Sequence, residues 1–296
     1  GQMGSIRNIA RCVREAGLEM ESLTLEPLAS SESVLTKEEK EAGVAIVDIG
    51  GGTTDIAIFK DNIIRHTCVI PYGGGIITDD IKEGCSIIEK HAEQLKVKFG
   101  SAMPEMEKDS TFVTIPGLHG RPDKEISLKT LAHVVNARVE EILEMVNTEL
   151  KAYGAFEQKK KLIAGIVLTG GGSNLKNLRQ LANYTTGFDS RIGFSNEYVA
   201  NDKNHFLKGP EYATSIGLLM ESLKIRDKKH SPEQPKPEEV VNEVPAKEET
   251  SAQVTETPEF RTEEQVIAES GEKRRNKLTI GQKIMESVKK FFEEVE

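Results

Sequence analysis

The sequence predicts an α/β fold over residues 1–225, followed by two C-terminal segments of different character. Apolar runs of strand type alternate with helical patterns, and glycine-rich turns end several of those runs. The composition then changes sharply after residue 225. The chain has 296 residues, and since a domain takes about 150 residues, we expect about two domains.

Two helices and three strands are predicted first. The helical patterns cover residues 5–17 and 27–42, and the strand-like runs are Val44–Val47, Ile56–Phe59 and Ile63–Ile70. Because short turns join the three runs, we expect them to form an antiparallel meander.

The clearest helix of the sequence is Leu128–Tyr153. Its apolar residues recur every three or four positions, and Gly154 follows as a stop signal. The other elements predicted here are a helical stretch Ile76–Phe99, a small β region at Thr111–Ile115, a strand Ile163–Leu168, a helix from about Asn174 and a last helix Glu211–Lys224.

Composition argues against several classes of protein. A net charge of −9 disfavours binding of nucleic acid through a broad basic face. No run of 18 apolar residues and no secretory leader occur, so we expect neither a transmembrane helix nor export. Cys12, Cys68 and Cys85 are widely spaced and form no CxxC pair, which disfavours disulfide scaffolds and zinc fingers and indicates a reducing compartment.

The two C-terminal segments differ in charge. Residues 226–272 carry 13 acidic against 6 basic side chains, and five of the eleven prolines lie there, which predicts a disordered acidic linker. Residues 273–296 carry seven basic against four acidic side chains and have the pattern of an amphipathic helix for an anionic membrane surface. The helix could instead pack on the protein body or on a partner helix. The predicted membrane contacts are Ile280, Lys283, Ile284, Val288, Lys289, Lys290, Phe291, Phe292 and Val295.

Two strands each end in a triple glycine, in VDIGGGTTD at 47–55 and in VLTGGGS at 167–173. Glycine leaves no Cβ between the backbone amides and a ligand, and successive amides in such a turn bind anions. A single turn of this kind is equally well explained as a simple hairpin, but two at strand ends favour a phosphate site. Neither is a Walker loop. The candidate residues are Asp48, for a water bound to Mg²⁺, together with Gly50, Gly51, Gly52, Thr53, Thr54, Gly170, Gly171, Gly172 and Ser173.

Several motifs carry a family resemblance. VAIVDIGGGTTDIAIF resembles the second phosphate loop of the actin/Hsp70/sugar-kinase superfamily, and IVLTGGGSNLKNL resembles its adenosine loop. More narrowly, RHTCVIPYGGGIITDDI, the turn at 120–122 and AGIVLTGGGSNLKNL resemble the bacterial cell-division protein FtsA family. The resemblance extends from about Asn8 to Leu223.

The resemblance implies an actin-like, ribonuclease H-like ATPase fold with ATP and Mg²⁺ in a cleft. Gly51, Gly52 and Thr53 would hold the phosphates, with Gly74 and Gly75 in the turn that leads into the next helix. Gly171 and Gly172 would contact the adenosine, and Asp48 would act through the metal and the attacking water. Glu93 and Lys96 would reach the ribose and the base, although without the resemblance they are equally well explained as a solvated pair on a helix.

The function implied is that of an adaptor which tethers FtsZ filaments to the cytoplasmic face of the bacterial inner membrane. It would support Z-ring assembly at the septum, recruit later division proteins and self-associate. Arg121, Arg138 and Lys151 are candidates for binding the FtsZ tail, although any one of them is better explained as a solvated helix charge. The open alternatives are a small-substrate ATP-dependent kinase or phosphatase and an Hsp70-like ATPase.

One departure from the family concerns the N-terminus. Nothing before residue 43 matches the first phosphate loop, so we expect a truncated chain that is at most a weak ATPase. The predicted division is a remnant of the first actin-like half at 1–43 and the second half at 44–225, with a smaller subdomain around 100–160. The linker at 226–272 and the membrane-targeting helix at 273–296 follow.

Overall fold

A five-stranded mixed sheet lies at the centre of the computed structural model. The structure describes residues 3–117, 120, 122–195, 207 and 209–230. Of residues 228–230 it describes the backbone alone. Contacts divide the chain into two units, Gly1–Gln234 and Pro235–Glu296, and every described residue belongs to the first unit.

The central sheet has the strand order β3-β2-β1-β6-β7. Strands β1, β2 and β3 form an antiparallel meander, whereas β1 pairs with β6, and β6 with β7, in parallel. A separate antiparallel pair, β4 with β5, lies outside this sheet. The strands are β1 Val44–Ile49, β2 Thr54–Lys60, β3 Ile63–Ile70, β4 Phe112–Ile115, β5 Lys124–Ser127, β6 Ile166–Thr169 and β7 Ser190–Ile192.

Helices cover both faces of the sheet. They are α1 Met3–Glu15, α2 Glu26–Val34, α3 Lys37–Ala42, α4 Gly74–Gly84, α5 Glu89–Phe99, α6 Leu128–Tyr153, α7 Leu178–Thr186 and α8 Ala213–His230. Single 3₁₀ turns occur at Pro104–Met106, Gly171–Asn174 and Pro210–Tyr212.

Strand β1 is buried along its whole length because both of its faces are covered. Ala45, Val47 and Ile49 belong to the larger core, which also takes in buried residues of α4, α5, α6 and α7. Val44 and Ile46 belong to a smaller core with residues of α2 and α8. The end of β1 therefore emerges between two helical layers.

The meander, the helix Leu128–Tyr153 and the strand Ile63–Ile70 agree with the prediction. The helix predicted at 27–42 is wrong as a single element, because Thr36 starts a new helix, α3. The Thr36 hydroxyl accepts a hydrogen bond from the Glu39 amide at 3.2 Å, and the Glu39 carboxylate accepts one from the Thr36 amide at 2.9 Å. The stretch Ile76–Phe99 also forms two helices, and Ser86 between them has a positive φ of 48°.

Three further elements differ from the prediction. Strand β7 was not predicted, and the helix expected from Asn174 begins at Leu178, after a 3₁₀ turn. Helix α8 continues to His230, so residues 226–230 belong to it and not to the predicted linker. The rest of that linker and the predicted amphipathic helix at 273–296 lie outside the described residues. Of the helices that the structure describes, none is long and apolar enough to cross a bilayer.

Candidate functional site

The two triple glycines lie side by side at one edge of the central sheet. Strands β1 and β6 are parallel neighbours, with Asp48 opposite Thr169. Because parallel strands end at the same edge, the first glycine turn (Gly50–Gly52) and the second glycine turn (Gly170–Gly172) emerge next to each other.

A cleft of about 310 Å³ opens at these turns. Seven of its lining residues were predicted from the sequence, namely Gly50, Gly51, Gly74, Glu93, Lys96, Gly171 and Gly172. Five others were missed, namely Ile77, Val97, Asn174, Leu175 and Glu211. The cleft therefore combines glycine backbone, one cation, two carboxylates and several apolar side chains.

The first glycine turn packs on the start of α4. The amide of Gly74 donates to the carbonyl of Gly50 at 2.8 Å, and that of Gly75 donates to Gly51 at 2.7 Å. A Cβ on Gly73 would lie 2.6 Å from the Gly50 oxygen, so only glycine allows this approach. The Gly74 and Gly75 amides are thus engaged within the protein. In contrast, a Cβ on Gly51 or Gly52 would meet nothing within 4 Å, so the tip of the turn is open.

The hydroxyl groups predicted at the two turns also have partners within the protein. Thr53 donates to the Asp55 carboxylate at 2.8 Å, and the buried Thr54 donates to the Tyr72 carbonyl at 2.8 Å. The buried Ser173 donates to the Thr169 carbonyl at 2.6 Å. These hydroxyls hold the turns in shape, which leaves the backbone at the open tip as the more accessible anion-binding group.

The second glycine turn lies directly against the end of β1. Gly170 has a φ of +81°, and a Cβ there would lie 2.3 Å from a carboxylate oxygen of Asp48. A Cβ on Gly172 would lie 2.4 Å from Cγ2 of Ile49. Glycine is required at both positions because the backbone of one strand end touches the side chains of its neighbour.

Lys96 and Glu93 form one wall of the cleft. The Lys96 ammonium lies 2.7 Å from Glu93 Oε2 and donates to the Gly74 carbonyl and to the Thr78 hydroxyl, both at 2.7 Å. Burial alone would raise the pKa of Glu93, but the hydrogen bonds from Lys96 and Thr78 outweigh it and lower that pKa. The Lys96 side chain is 13% exposed and that of Glu93 is 49% exposed. The ammonium is therefore held in a hydrogen-bond network, while about half of the Glu93 side chain faces solvent.

Asp48 is buried behind the cleft and does not line it. One of its oxygens accepts hydrogen bonds from Ser30 at 2.6 Å and from Thr214 at 3.4 Å. Burial and the charge of Asp55 raise the pKa of Asp48 despite the opposing effect of these two hydroxyls. Within the described residues, no group of three or more His, Cys, Asp or Glu side chains is arranged to hold a metal ion. A role for Asp48 through water and Mg²⁺ stays a prediction.

Two of the three residues predicted to bind a partner, Arg138 and Lys151, lie outside the cleft lining. Arg138 on α6 donates twice to Asp80 of α4, at 2.6 and 3.1 Å, and once to Glu141 at 2.5 Å. Lys151 is exposed in the last turn of α6. Arg121 lies outside the described residues. The structure thus does not bring Arg138 and Lys151 into the cleft, and the role of all three positions stays a prediction.

The five missed lining residues differ in how far the sequence signals them. Asn174 and Leu175 come directly after the predicted residue Ser173, and Val97 follows Lys96, so proximity to a predicted residue was an available signal. Glu211 comes from a distant segment, the 3₁₀ turn Pro210–Tyr212, and no local pattern marks it.

Comparisons with known proteins show the family of this chain. The family model described as cell division protein FtsA matches residues 45–217. FtsA of Pseudomonas aeruginosa is 40% identical over 217 residues, which is 73% of this chain and 51% of that protein. FtsA of Escherichia coli K12 is 38% identical over 217 residues, or 72% and 51%. The chain therefore spans about half the length of the curated relatives it matches.

Solved structures show the fold. MreB5 of Spiroplasma citri, in a structure described as bound to ADP, aligns with a TM-score of 0.63 at 20% identity, over 78% of this chain and 68% of that one. A MamK double helical filament aligns with a TM-score of 0.55 at 15% identity, over 75% and 66%. The fold is actin-like. From the family match and the relatives together, the chain belongs to the FtsA family of cell division proteins.

Proposed function

We propose that this chain binds ATP in the cleft and acts as an actin-like adaptor in cell division. The observation that carries the proposal is the convergence of both glycine turns with Lys96 and Glu93 on one cleft, in a member of the FtsA family. Related folds are described as bound to ADP and to AMPPNP in MreB5 of Spiroplasma citri.

The chemistry of the cleft suits a nucleoside triphosphate. Phosphate oxygens would accept hydrogen bonds from backbone amides at the open tip of Gly51 and Gly52, where no side chain intervenes. Lys96 supplies a positive charge nearby, and its partners hold it in place. Mg²⁺ would neutralise phosphate charge, and we expect Asp48 to act on it only through water, because its carboxylate already accepts two hydrogen bonds.

Titration calorimetry of the full chain with ATP tests the cleft. We expect Lys96→Ala to weaken ATP binding by about tenfold or more, since it removes one charge-assisted contact worth roughly 1.5–3 kcal/mol. Lys98→Ala, on the exposed face of the same helix, is the matched control and should bind as the unchanged chain does. Equal binding by both variants would place ATP outside this cleft.

We further propose that residues 273–296 bind the anionic cytoplasmic face of the inner membrane at the division site. Their basic flank and apolar stripe support this part of the proposal. Co-sedimentation with anionic vesicles should pellet the full chain and leave a chain ending at Asn276 in solution. If both remain in solution, the segment serves a protein partner or packs on the body of the chain.

The last part of the proposal is that the tail of FtsZ binds near α6, which would link division filaments to the membrane, assemble the Z-ring and recruit later division proteins. The tail carries acidic residues in the family that the sequence resembles, so basic side chains on α6 are the candidates. Lys151→Glu changes an exposed charge and should weaken binding of an FtsZ tail peptide. Arg138→Glu tests the second position, but it also breaks the pair with Asp80, so its thermal unfolding must be measured beside its binding.

A further inference from the structure

We propose that a turn of the folded body contacts an anionic membrane surface directly, in addition to the contact made by residues 273–296. The turn comprises residues 154–163, in the connection between α6 and β6, and is called the basic turn below. This inference rests on the proposed membrane binding of residues 273–296 and assigns a second contact, on a part of the chain that the structure describes.

The basic turn lies at the edge of the central sheet opposite to the cleft. It precedes β6, which starts at Ile166, whereas the cleft opens where β6 ends. Strand β2 is antiparallel to β1 and therefore also ends at this far edge, where the Lys60 ammonium donates to the Lys161 carbonyl at 3.2 Å. The basic turn and the cleft are thus separate surfaces.

Buried side chains anchor the basic turn, while apolar side chains next to them face solvent. Ala155 and Leu162 are buried, and the residues that follow them, Phe156 and Ile163, are 53% and 75% exposed. The ring of Phe156 packs on that of Phe188, with their centroids 4.8 Å apart, which holds it in place. A membrane interface would cover the apolar surface that these two side chains leave in water.

Three consecutive lysines, Lys159, Lys160 and Lys161, lie between the two exposed apolar residues, and all three are exposed. Among the ion pairs of the described residues, none involves any of these three lysines. Lys160 donates to the Tyr153 carbonyl at 3.1 Å instead. Their positive charges are therefore not neutralised within this part of the fold and can attract an anionic surface.

The distribution of charge indicates the kind of partner. Because the chain as a whole has a net charge of −9, an anionic bilayer attracts it only where cations are concentrated. In the basic turn three lysines stand against one acidic residue, Glu157, and Asp189 lies on the neighbouring connection. Lysines beside exposed aromatic and aliphatic side chains are typical of a peripheral contact with anionic lipid. An acidic protein segment would match the lysines too, but it would not take Phe156 and Ile163 into lipid.

A tryptophan reporter tests the contact, since the chain contains no tryptophan of its own. In the full chain, Phe156→Trp should shift its emission to shorter wavelength when vesicles of phosphatidylglycerol and phosphatidylcholine are added. Brominated lipid in those vesicles should reduce the emission, because the indole would lie in the interface. Phe112→Trp is the matched control, at a side chain that is 56% exposed on β4. It should show neither change, although residues 273–296 attach both variants to the vesicle.

Charge reversal tests the three lysines. A full chain that combines Lys159→Glu, Lys160→Glu and Lys161→Glu should bind the vesicles about tenfold more weakly or less, and should lose the response of a tryptophan at position 156. The control reverses three exposed lysines outside the basic turn, so that the net charge changes equally, namely Lys90, Lys98 and Lys108. It should bind more tightly than the first variant and keep the tryptophan response. Thermal unfolding of each variant shows that the fold is retained.

The outcomes separate the inference from the function on which it rests. If the unchanged chain does not bind the vesicles, the proposed membrane attachment is wrong and the inference fails with it. If the chain binds but the tryptophan at position 156 responds no more than the one at position 112, attachment through residues 273–296 stands and only the contact at the basic turn is overturned. Equal weakening by the two triple variants would also overturn it, because net charge alone would then explain the binding.

Discussion

The hydroxyl of Ser30 donates a hydrogen bond to a carboxylate oxygen of Asp48 at 2.6 Å, which links α2 to the end of β1. Asp48 is 3% exposed and lies opposite Asp55 in the β1–β2 pair. Burial, with the neighbouring charge of Asp55, raises its pKa. An ionised Asp48 therefore lowers the free energy of unfolding. Groups that are retained for function often destabilise a fold in this way.

Asp48→Asn should stabilise the chain at neutral pH. The amide keeps an oxygen that accepts from Ser30 and carries no charge to bury, so we expect a gain of about 1 kcal/mol in the free energy of unfolding at pH 7. At a pH above 3.8, the ordinary pKa of an aspartate, Asp48 in the native chain keeps a proton that it has lost in the unfolded chain. Stability from this group thus falls as the pH rises through the native pKa.

The gain from Asp48→Asn should therefore be larger at pH 7 than at pH 4, and urea unfolding at both values measures it. Asp189→Asn, at an exposed position, is the control and should change the free energy of unfolding by less than about 0.5 kcal/mol. A loss of stability in Asp48→Asn at pH 7 would show that the buried charge is stabilised by its surroundings.

Gly170→Ala should destabilise the fold far more than Gly187→Ala. Both glycines have positive φ, +81° and +72°, but their backbones differ. Gly187, with ψ of 7°, is left-handed, which costs alanine about 1–2 kcal/mol, whereas Gly170, with ψ of 168°, lies in a region that is open essentially only to glycine. Only at Gly170 does the new methyl group also collide with Asp48 and with the Ile49 carbonyl, whereas at Gly187 it meets nothing within 4 Å. We expect a loss of about 3 kcal/mol or more at Gly170, and urea unfolding compares the two variants.

Arg138 and Asp80 should couple α6 to α4. A double-mutant cycle to alanine should give an interaction free energy of about 1 kcal/mol, since the contact is bidentate and both side chains are mostly covered, at 22% and 28% exposure. The exposed pair Lys129–Asp109 is the matched control and should give less than about 0.5 kcal/mol. Equal coupling in the two cycles would contradict the importance of burial here.

Thr36→Ala should lower the free energy of unfolding by about 1 kcal/mol, because it removes the hydroxyl that caps α3. Thr148→Ala is the control, since Thr148 is exposed inside a long helix and donates only to the Glu144 carbonyl. Alanine favours a helix interior, so that variant should lose nothing. Chemical denaturation of the two variants measures the difference.

Local signals account for the parts of the fold that agree with the sequence prediction. The helix Leu128–Tyr153 is bounded correctly because Gly154 takes the left-handed position, with φ of +84°. The break between α2 and α3 was also readable, since Thr36 and Glu39 have the spacing of a capping box. Strand β7 could not be predicted from the sequence, because three residues are too few to show a periodic pattern of apolar side chains. Its Arg191 is held at 2.7 Å by Glu39, a contact across the fold.

The residues of the candidate site were likewise predicted only in part from the sequence. Both glycine turns and the Glu93–Lys96 pair were predicted. Gly50, Gly51, Gly171 and Gly172 of those turns line the cleft together with that pair, whereas Gly52 and Gly170 do not line it. Glu211 was missed because its approach to Asn174 depends on tertiary packing between residues 37 positions apart. The same is true of Ser30, whose contact with Asp48 depends on how α2 lies on the sheet.

The pairing of β1 with β6 sets the distance between the two glycine turns. Asp48 and Thr169 are neighbours in this pair, and adjacent strands lie about 4.8 Å apart. A length that depends on backbone hydrogen bonds alone is insensitive to the side chains and loops in the chain between Ile49 and Ile166. The segments in between, including the β4–β5 pair and α6, can therefore change in length and surface to suit different partners. The distance between the two glycine turns, which a bound ligand must fit, stays the same.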